Sequence, residues 1–335
     1  MGETAWTREF TPRDDGIHPS ASPGWWEWWY FDADLDNGYT VAGTFHFGSP
    51  RPPASPDARF IEIALFDPEG NMRLVRRRYP KEECSALEDT CRVAIGPNVY
   101  EGEIPRYHVS FSEGDLGCDL VYDSLVQPYG PVETGWGGTT MYWAASASRS
   151  EIVGTITWDG RTMEVSGQGY HDHNWSDVPM SESTGAENAF WGRLYIGDWT
   201  LNWQGGRMVR KMDYRPAGRL IAYRKDRIVA VSDGGGGVVV DYTAGPDGVS
   251  HPQNIAIAYH DPGLVEGTIR LEVTRVLQHM DLHSRFKPFQ RWFAGAYVGR
   301  PAYFRYRFDY DADLDIVGEK LIGTGSGWCE HHKMV

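Results

Sequence analysis

The stretch "YTVAGTFHF" (39–47) alternates with a period of two. Tyr39, Val41, Phe45 and Phe47 lie to one side, and Thr40, Thr44 and His46 to the other. Only an extended strand separates side chains this way, so the pattern demands a half-buried β-strand. The same pattern recurs along the chain. "RFIEIALFDPEGNMRLV" reads as a hairpin turning at Pro68-Glu69-Gly70. "EIVGTITWDGRTMEVSG" reads as another, turning at Asp159-Gly160, a dipeptide suited to the tight turns that match strand twist. Further strands are expected at "RYHVSFS", "CDLVYDSL", "TLNWQGGRMV", "RLIAYRKDRIVAVS", "GVVVDYT", "QNIAIAYH", "TIRLEVTRVL" and "AYFRYRFDYD". Helical periodicity is nearly absent; "KEECSALEDTC" is expected to form a short helical turn.

So many evenly spaced strands predict an all-β chain, built as antiparallel β-barrels or sandwiches. The 335 residues exceed what one such barrel uses. The polar, small-residue segment "SDVPMSESTGAENA" (176–189) is the best break. It sets two β domains, 1–181 and 182–335, packed side by side. "YFDADLDNG" (30–38) and "DYDADLDIVG" (309–318) echo one another, which leaves an internal duplication open.

Composition limits the partners. The formal net charge is −14, which opposes nucleic acid and anionic membrane surfaces, since both require basic patches. No apolar run is long enough to span a bilayer, and the N-terminal stretch lacks a signal-peptide pattern. Trp6 breaks the myristoylation pattern, and Cys329 stands too far from the end for prenylation. A cytoplasmic protein with a small, weakly charged ligand is expected. Cys84, Cys91, Cys118 and Cys329 follow no zinc spacing. They are expected as free thiols, with a Cys84–Cys91 bridge left open.

Two stretches carry chemistry. In "GQGYHDHNW" (167–175), a strand puts His171, His173 and Trp175 on one face and Asp172 and Asn174 on the other. The histidines can serve acid–base work, hold a metal with Asp177 as a third ligand, or satisfy a structural network. In "GWWEWWYFDADLDNGYTVAGTF" (24–45), four tryptophans surround Glu27, which shares a face with Trp29, opposite Trp26, Trp28 and Tyr30. An apolar surround would make Glu27 a proton donor; pairing with an arginine such as Arg193 would make it structural. His46, Tyr142, Trp143, Arg193, Tyr195 and Asp198 are further candidates for the same interior. No nucleophile elbow, phosphate-binding loop or dinucleotide fingerprint is present, and "GGGG" (234–237) reads as a loop between strands.

Taken together and in order, "EWWYFDADLDNGYTV" and "GYHDHNW…FWGRLYIGDW" resemble the CrtC/AttH-like family, the family of carotenoid 1,2-hydratase. That resemblance implies two lipocalin-like β-barrel domains, a hydrophobic substrate held between them and no redox cofactor. It also implies either hydration of a prenyl or carotenoid-like double bond, or cyclisation of a polyene by related Diels–Alderases. The acidic, anchorless chain favours a polyketide or terpenoid intermediate over a membrane-dissolved carotenoid. A cofactor-free cyclase is therefore expected, with a hydratase and a non-catalytic lipophile carrier as alternatives. No metal is expected. His173, Asp198, Glu27 and Tyr195 are the catalytic candidates. Trp28, Trp29, His46, Tyr142, His171, Trp175, Trp191 and Arg193 are the substrate-binding ones.

Overall fold

The computed structural model describes residues 9–49, 55–134, 141–180, 186–244, 250–281 and 302–333. The chain divides into two compact units, Met1–Thr184 and Gly185–Val335. The boundary expected between 181 and 182 lies outside the described residues.

Among the described residues, the first unit holds twelve strands. They are β1 (Trp26–Leu35), β2 (Thr40–Ser49), β3 (Ser55–Phe66), β4 (Met72–Arg78), β5 (Cys84–Ala86) and β6 (Cys91–Ile95). Then follow β7 (Asn98–Glu103), β8 (Arg106–Glu113), β9 (Leu116–Ser124), β10 (Tyr129–Glu133), β11 (Met141–Trp158) and β12 (Arg161–Ser176). They form one antiparallel sheet in the order β4-β3-β2-β1-β12-β11-β9-β8-β7-β6-β5, with β10 paired to β11.

The second unit holds β13 (Ala186–Ile196), β14 (Trp199–Met208), β15 (Pro216–Ala217), β16 (Leu220–Arg224) and β17 (Arg227–Ser232). It continues with β18 (Gly235–Ala244), β19 (Ser250–Asp261), β20 (Val265–Asp281), β21 (Ala302–Ile316) and β22 (Glu319–Lys333). Its sheet runs β17-β16-β14-β13-β22-β21-β20-β19-β18, and β15 pairs with β14.

Both sheets curl on themselves. Phe31 on β1 and Tyr100 on β7 are five strand steps apart, about 24 Å in a flat sheet, yet their rings lie 5.7 Å apart. In the second unit, Tyr259 Oη on β19 donates to the Gln204 carbonyl on β14 at 2.9 Å across the same number of steps. Bulges between Ala144 and Ala147, and between Ala147 and Ser150, bend β11 where the first sheet curls. Each concave face is closed by its own apolar core. Trp29, Phe31, Phe45 and Tyr100 are fully buried in the first, each such side chain contributing about 2–3 kcal/mol.

The expected hairpins form. Asp159 and Gly160 take φ of 49° and 75°, the left-handed pair a two-residue hairpin turn requires. Two expectations are corrected. "KEECSALEDTC" contributes only a 3₁₀ turn at Lys81–Glu83 before β5 begins at Cys84. The glycine run is not a loop: Gly235 to Gly237 open β18 through a bulge. A Cβ on Gly236 would stand 2.5 Å from Gly218 Cα, so glycine there permits two backbones to approach closely. The sequence echo falls on non-equivalent strands, since β1 pairs with β2 and β12 whereas β21 pairs with β20 and β22.

Candidate functional site

The pairing of β1 with β12 sets the chemistry of the first unit. Glu27 stands opposite Trp175, Trp29 opposite His173, and Phe31 opposite His171. These rungs share the concave face. The intervening rungs, Trp28 with Asn174 and Tyr30 with Asp172, belong to the convex one. The His-Asp-His alternation is thus divided between two environments.

On the concave face the histidines meet a segment from near the N-terminus. A 3₁₀ turn (Pro12–Asp15), begun by Thr11 N–H donating to Asp14 Oδ2 at 2.7 Å, delivers Asp15 between them. His171 Nδ1 lies 2.8 Å from the Tyr30 carbonyl, and its Nε2 lies 3.0 Å from Asp15 Oδ2. His173 Nδ1 lies 3.4 Å from the Asp14 carbonyl and 3.5 Å from Asp15 Oδ1, and its Nε2 bonds Glu27 Oε1 at 2.7 Å. Burial pushes the Asp15 carboxyl up. The charge and hydrogen bond of His171, followed by the charge of His173, outweigh it and hold its pKa below the ordinary value. Trp29 Nε1 ties down the segment by donating to the Asp15 carbonyl at 2.8 Å. Ala144 and Ala147 on β11 stand opposite His173 and His171, small neighbours for the two imidazoles.

Glu27 is where the inward network reaches the rim. The His18 backbone N–H donates to both its oxygens at 3.0 and 2.9 Å, and His18 Nδ1 bonds Oε1 at 3.0 Å. His18 stacks on Trp175 with centroids 3.9 Å apart and planes 2° from parallel. Tyr142 stacks on the same indole at 5.2 Å and is 37% exposed. Glu27 therefore sits among N–H donors, not in an apolar surround, and its partners are His18 and His173 rather than Arg193. The reason is topological: β1 and the segment before it bring His18 to the carboxylate. His18 and Asp15 are residues that sequence reasoning missed. A lone histidine in "GIHPS" carries no periodic signal.

Among the described residues, two donor groups on this face have atoms within 4.8 Å of one another, as a metal ion requires: His18, Glu27 and His173, and Asp15, Cys91 and His171. The hydrogen bonds above account for the first group and for the approach of Asp15 to His171 in the second. Asp177, expected as a third ligand, belongs to neither.

The convex face is aromatic around Asp172. Asp172 accepts from Tyr170 Oη at 2.8 Å, Trp143 Nε1 at 3.1 Å and Asn174 Nδ2 at 2.8 Å. Tyr30 and Trp143 are buried beside it. Trp28 and His46 share this face, their rings 5.7 Å apart. Trp28 and Trp29, grouped together from sequence, thus point to opposite sides of β1 and cannot line one wall.

In the second unit, Trp191, Arg193 and Tyr195 alternate along β13, on the face opposite the core residues Phe190 and Leu194. The Arg193 guanidinium lies 5.3 Å from the rings of both Trp191 and Trp328, and its Nε donates to Tyr195 Oη at 3.1 Å. Asn202 and Thr200, both buried, pair with Arg193 and Tyr195 in register. Nearby on the same face, Arg305 donates to Glu330 Oε1 at 2.7 Å and Gln278 Oε1 at 3.0 Å. Burial raises the Glu330 carboxyl, but the charge of Arg305 outweighs it and the pKa falls below the ordinary value. Asp198 does not join this wall. It occupies the exposed turn between β13 and β14, where its carbonyl accepts from Lys225 N–H at 2.7 Å.

The sequence matches no family model and no curated protein. Solved structures do match in fold. CghA, solved with Sch210972, aligns at a TM-score of 0.67 and 14% identity over 97% of this chain and 95% of its own. A protein assigned to AttH from Nitrosomonas europaea aligns at 0.67 and 17%, over 99% and 98%. Kievitone hydratase from Nectria haematococca aligns at 0.62 and 12%, over 99% and 94%. No helix among the described residues is long and apolar enough to cross a membrane. With its two curled antiparallel sheets, this chain has the fold of the CrtC/AttH-like proteins.

Proposed function

We propose that this chain is a cofactor-independent cyclase that folds a hydrophobic, polyunsaturated polyketide or terpenoid intermediate into a reactive shape. The observation that carries the reading is the convex wall of the first unit. There Trp28, Tyr30 and Trp143 surround Asp172, whose oxygens already accept three donors. A wall of this kind excludes water and holds a polyene by apolar contact, the conditions under which a cyclisation gains most from orientation. The likeness in fold to CghA, solved with the small molecule Sch210972, supports a small-molecule ligand. Arg193, set between two indoles, is suited to polarise a substrate carbonyl.

Hydration is the second reading. Its support is the His18–Glu27–His173 array, which can exchange protons at the rim, together with the likeness in fold to a hydratase.

The test incubates the purified protein with extracts of its producing strain and follows substrate and product by high-resolution mass spectrometry. An isomer of equal mass, formed by wild type and lost in Trp28→Ala and Asp172→Asn, supports cyclisation. A gain of one water, labelled when the solvent oxygen is labelled, means a hydratase. A ligand that returns unaltered from wild type and variants means a carrier and overturns both enzymatic readings.

A further inference from the structure

We propose that His18 is a general base whose Nε2 removes a proton from a planar, apolar molecule stacked at the Tyr142–Trp175 rim. The inference goes beyond the enzymatic reading above, because this rim belongs to the concave face and not to the convex wall, and it rests on that reading only for the native substrate. Three histidines join the inward network, and two of them spend both ring nitrogens inside it. His171 faces the Tyr30 carbonyl and Asp15, while His173 faces Glu27 and the Asp14–Asp15 segment. Only His18 differs. Its Nδ1 bonds Glu27 Oε1 at 3.0 Å, whereas its Nε2 has no hydrogen-bond partner among the described residues, and its side chain is 28% exposed.

The ring is also held in place. Glu27 grips the backbone N–H of His18, Trp25 Nε1 donates to its carbonyl at 3.0 Å, and Trp175 lies flat against the imidazole. A buried carboxylate that accepts from Nδ1–H leaves the Nε2 lone pair outward, which is the orientation and tautomer that general-base catalysis requires. His173 behind Glu27 and Asp15 behind His173 hold that carboxylate in position. The exposed Tyr142, stacked on the same indole, offers an apolar landing surface for a flat substrate.

The test uses 5-nitrobenzisoxazole, a flat carbon acid unrelated to any native substrate. His18 Nε2 takes the ring C–H proton, the C–H pair becomes the third bond of a nitrile, and the N–O pair leaves on the phenolate oxygen. The imidazolium then returns its proton to solvent. Wild type is expected to exceed free imidazole at the same concentration and pH. His18→Gln should lower that rate about a hundredfold with an unchanged near-UV spectrum. Heteronuclear NMR of the wild type should find the His18 proton on Nδ1. A wild type no faster than His18→Gln, or a proton on Nε2, overturns the proposal. Isomerisation of a native metabolite that survives in His18→Gln while the probe reaction is absent would remove this base and leave the cyclase standing. Turnover of the probe without any native product would do the reverse.

Discussion

Glu27 Oε1 and His173 Nε2 lie 2.7 Å apart on neighbouring strands, and both side chains are completely buried. One carboxylate there serves two imidazoles, because His18 Nδ1 reaches the same oxygen. The pair stabilises the fold only while both members are present, since a lone buried charge is far costlier than a paired one.

Glu27→Gln should therefore destabilise the chain by about 3–5 kcal/mol. It keeps the shape but leaves an amide facing N–H donors. Urea unfolding monitored by tryptophan fluorescence would register this as a lower midpoint at an unchanged slope. A shift below about 1 kcal/mol would mean that the inward network is not held by ionic contacts.

A second buried pair permits a sharper test. Glu330→Ala alone strands the Arg305 guanidinium beside Trp328 and should cost about 3 kcal/mol or more. The double change Arg305→Met with Glu330→Leu removes both charges and should return to within about 1 kcal/mol of wild type. Equal losses in the single and double variants would contradict that account.

His331 supplies a pH dependence. It is buried against Phe190 at 4.0 Å, and burial, with the nearby His332 and Lys333 charges, pushes its pKa down to about 3. The unfolded chain binds a proton at this residue near pH 6.5 and the folded chain does not. Stability is thus unaffected above that value and falls as pH drops from there towards 3. Wild type should lose about 2 kcal/mol between pH 6.5 and 5 relative to His331→Phe. Parallel unfolding curves at both pH values would refute the assignment.

The cysteines give an inexpensive check. All four are free thiols; Cys91, Cys118 and Cys329 are buried, and Cys84 is half-buried. Burial pushes the Cys118 thiol up to about 12 and raises that of Cys84 as well. An aromatic disulfide reagent should titrate one thiol slowly in the native protein and four in denaturant. Two missing thiols in denaturant would establish a Cys84–Cys91 bridge instead.

The sequence by itself determined most of the strands, their hairpins and the face on which each side chain stands. "GYHDHNW" and "EWWYF" assign His171, His173, Glu27 and Trp29 to one side and Asp172, Asn174 and Trp28 to the other. The structure has that division because a period of two is a local property of extended backbone. Only the tertiary structure decided what those faces meet. Asp15 reaches His171 across 156 positions and Glu27 reaches His173 across 146. His18, invisible as a pattern, acquires its setting from a 3₁₀ turn delivered into the concave face. Asp198, promising beside "YIGDW", is carried to an exposed turn by the hairpin it closes. Face is encoded residue by residue along a strand; partnership depends on which distant segment the curled sheet encloses, and no local spacing records that.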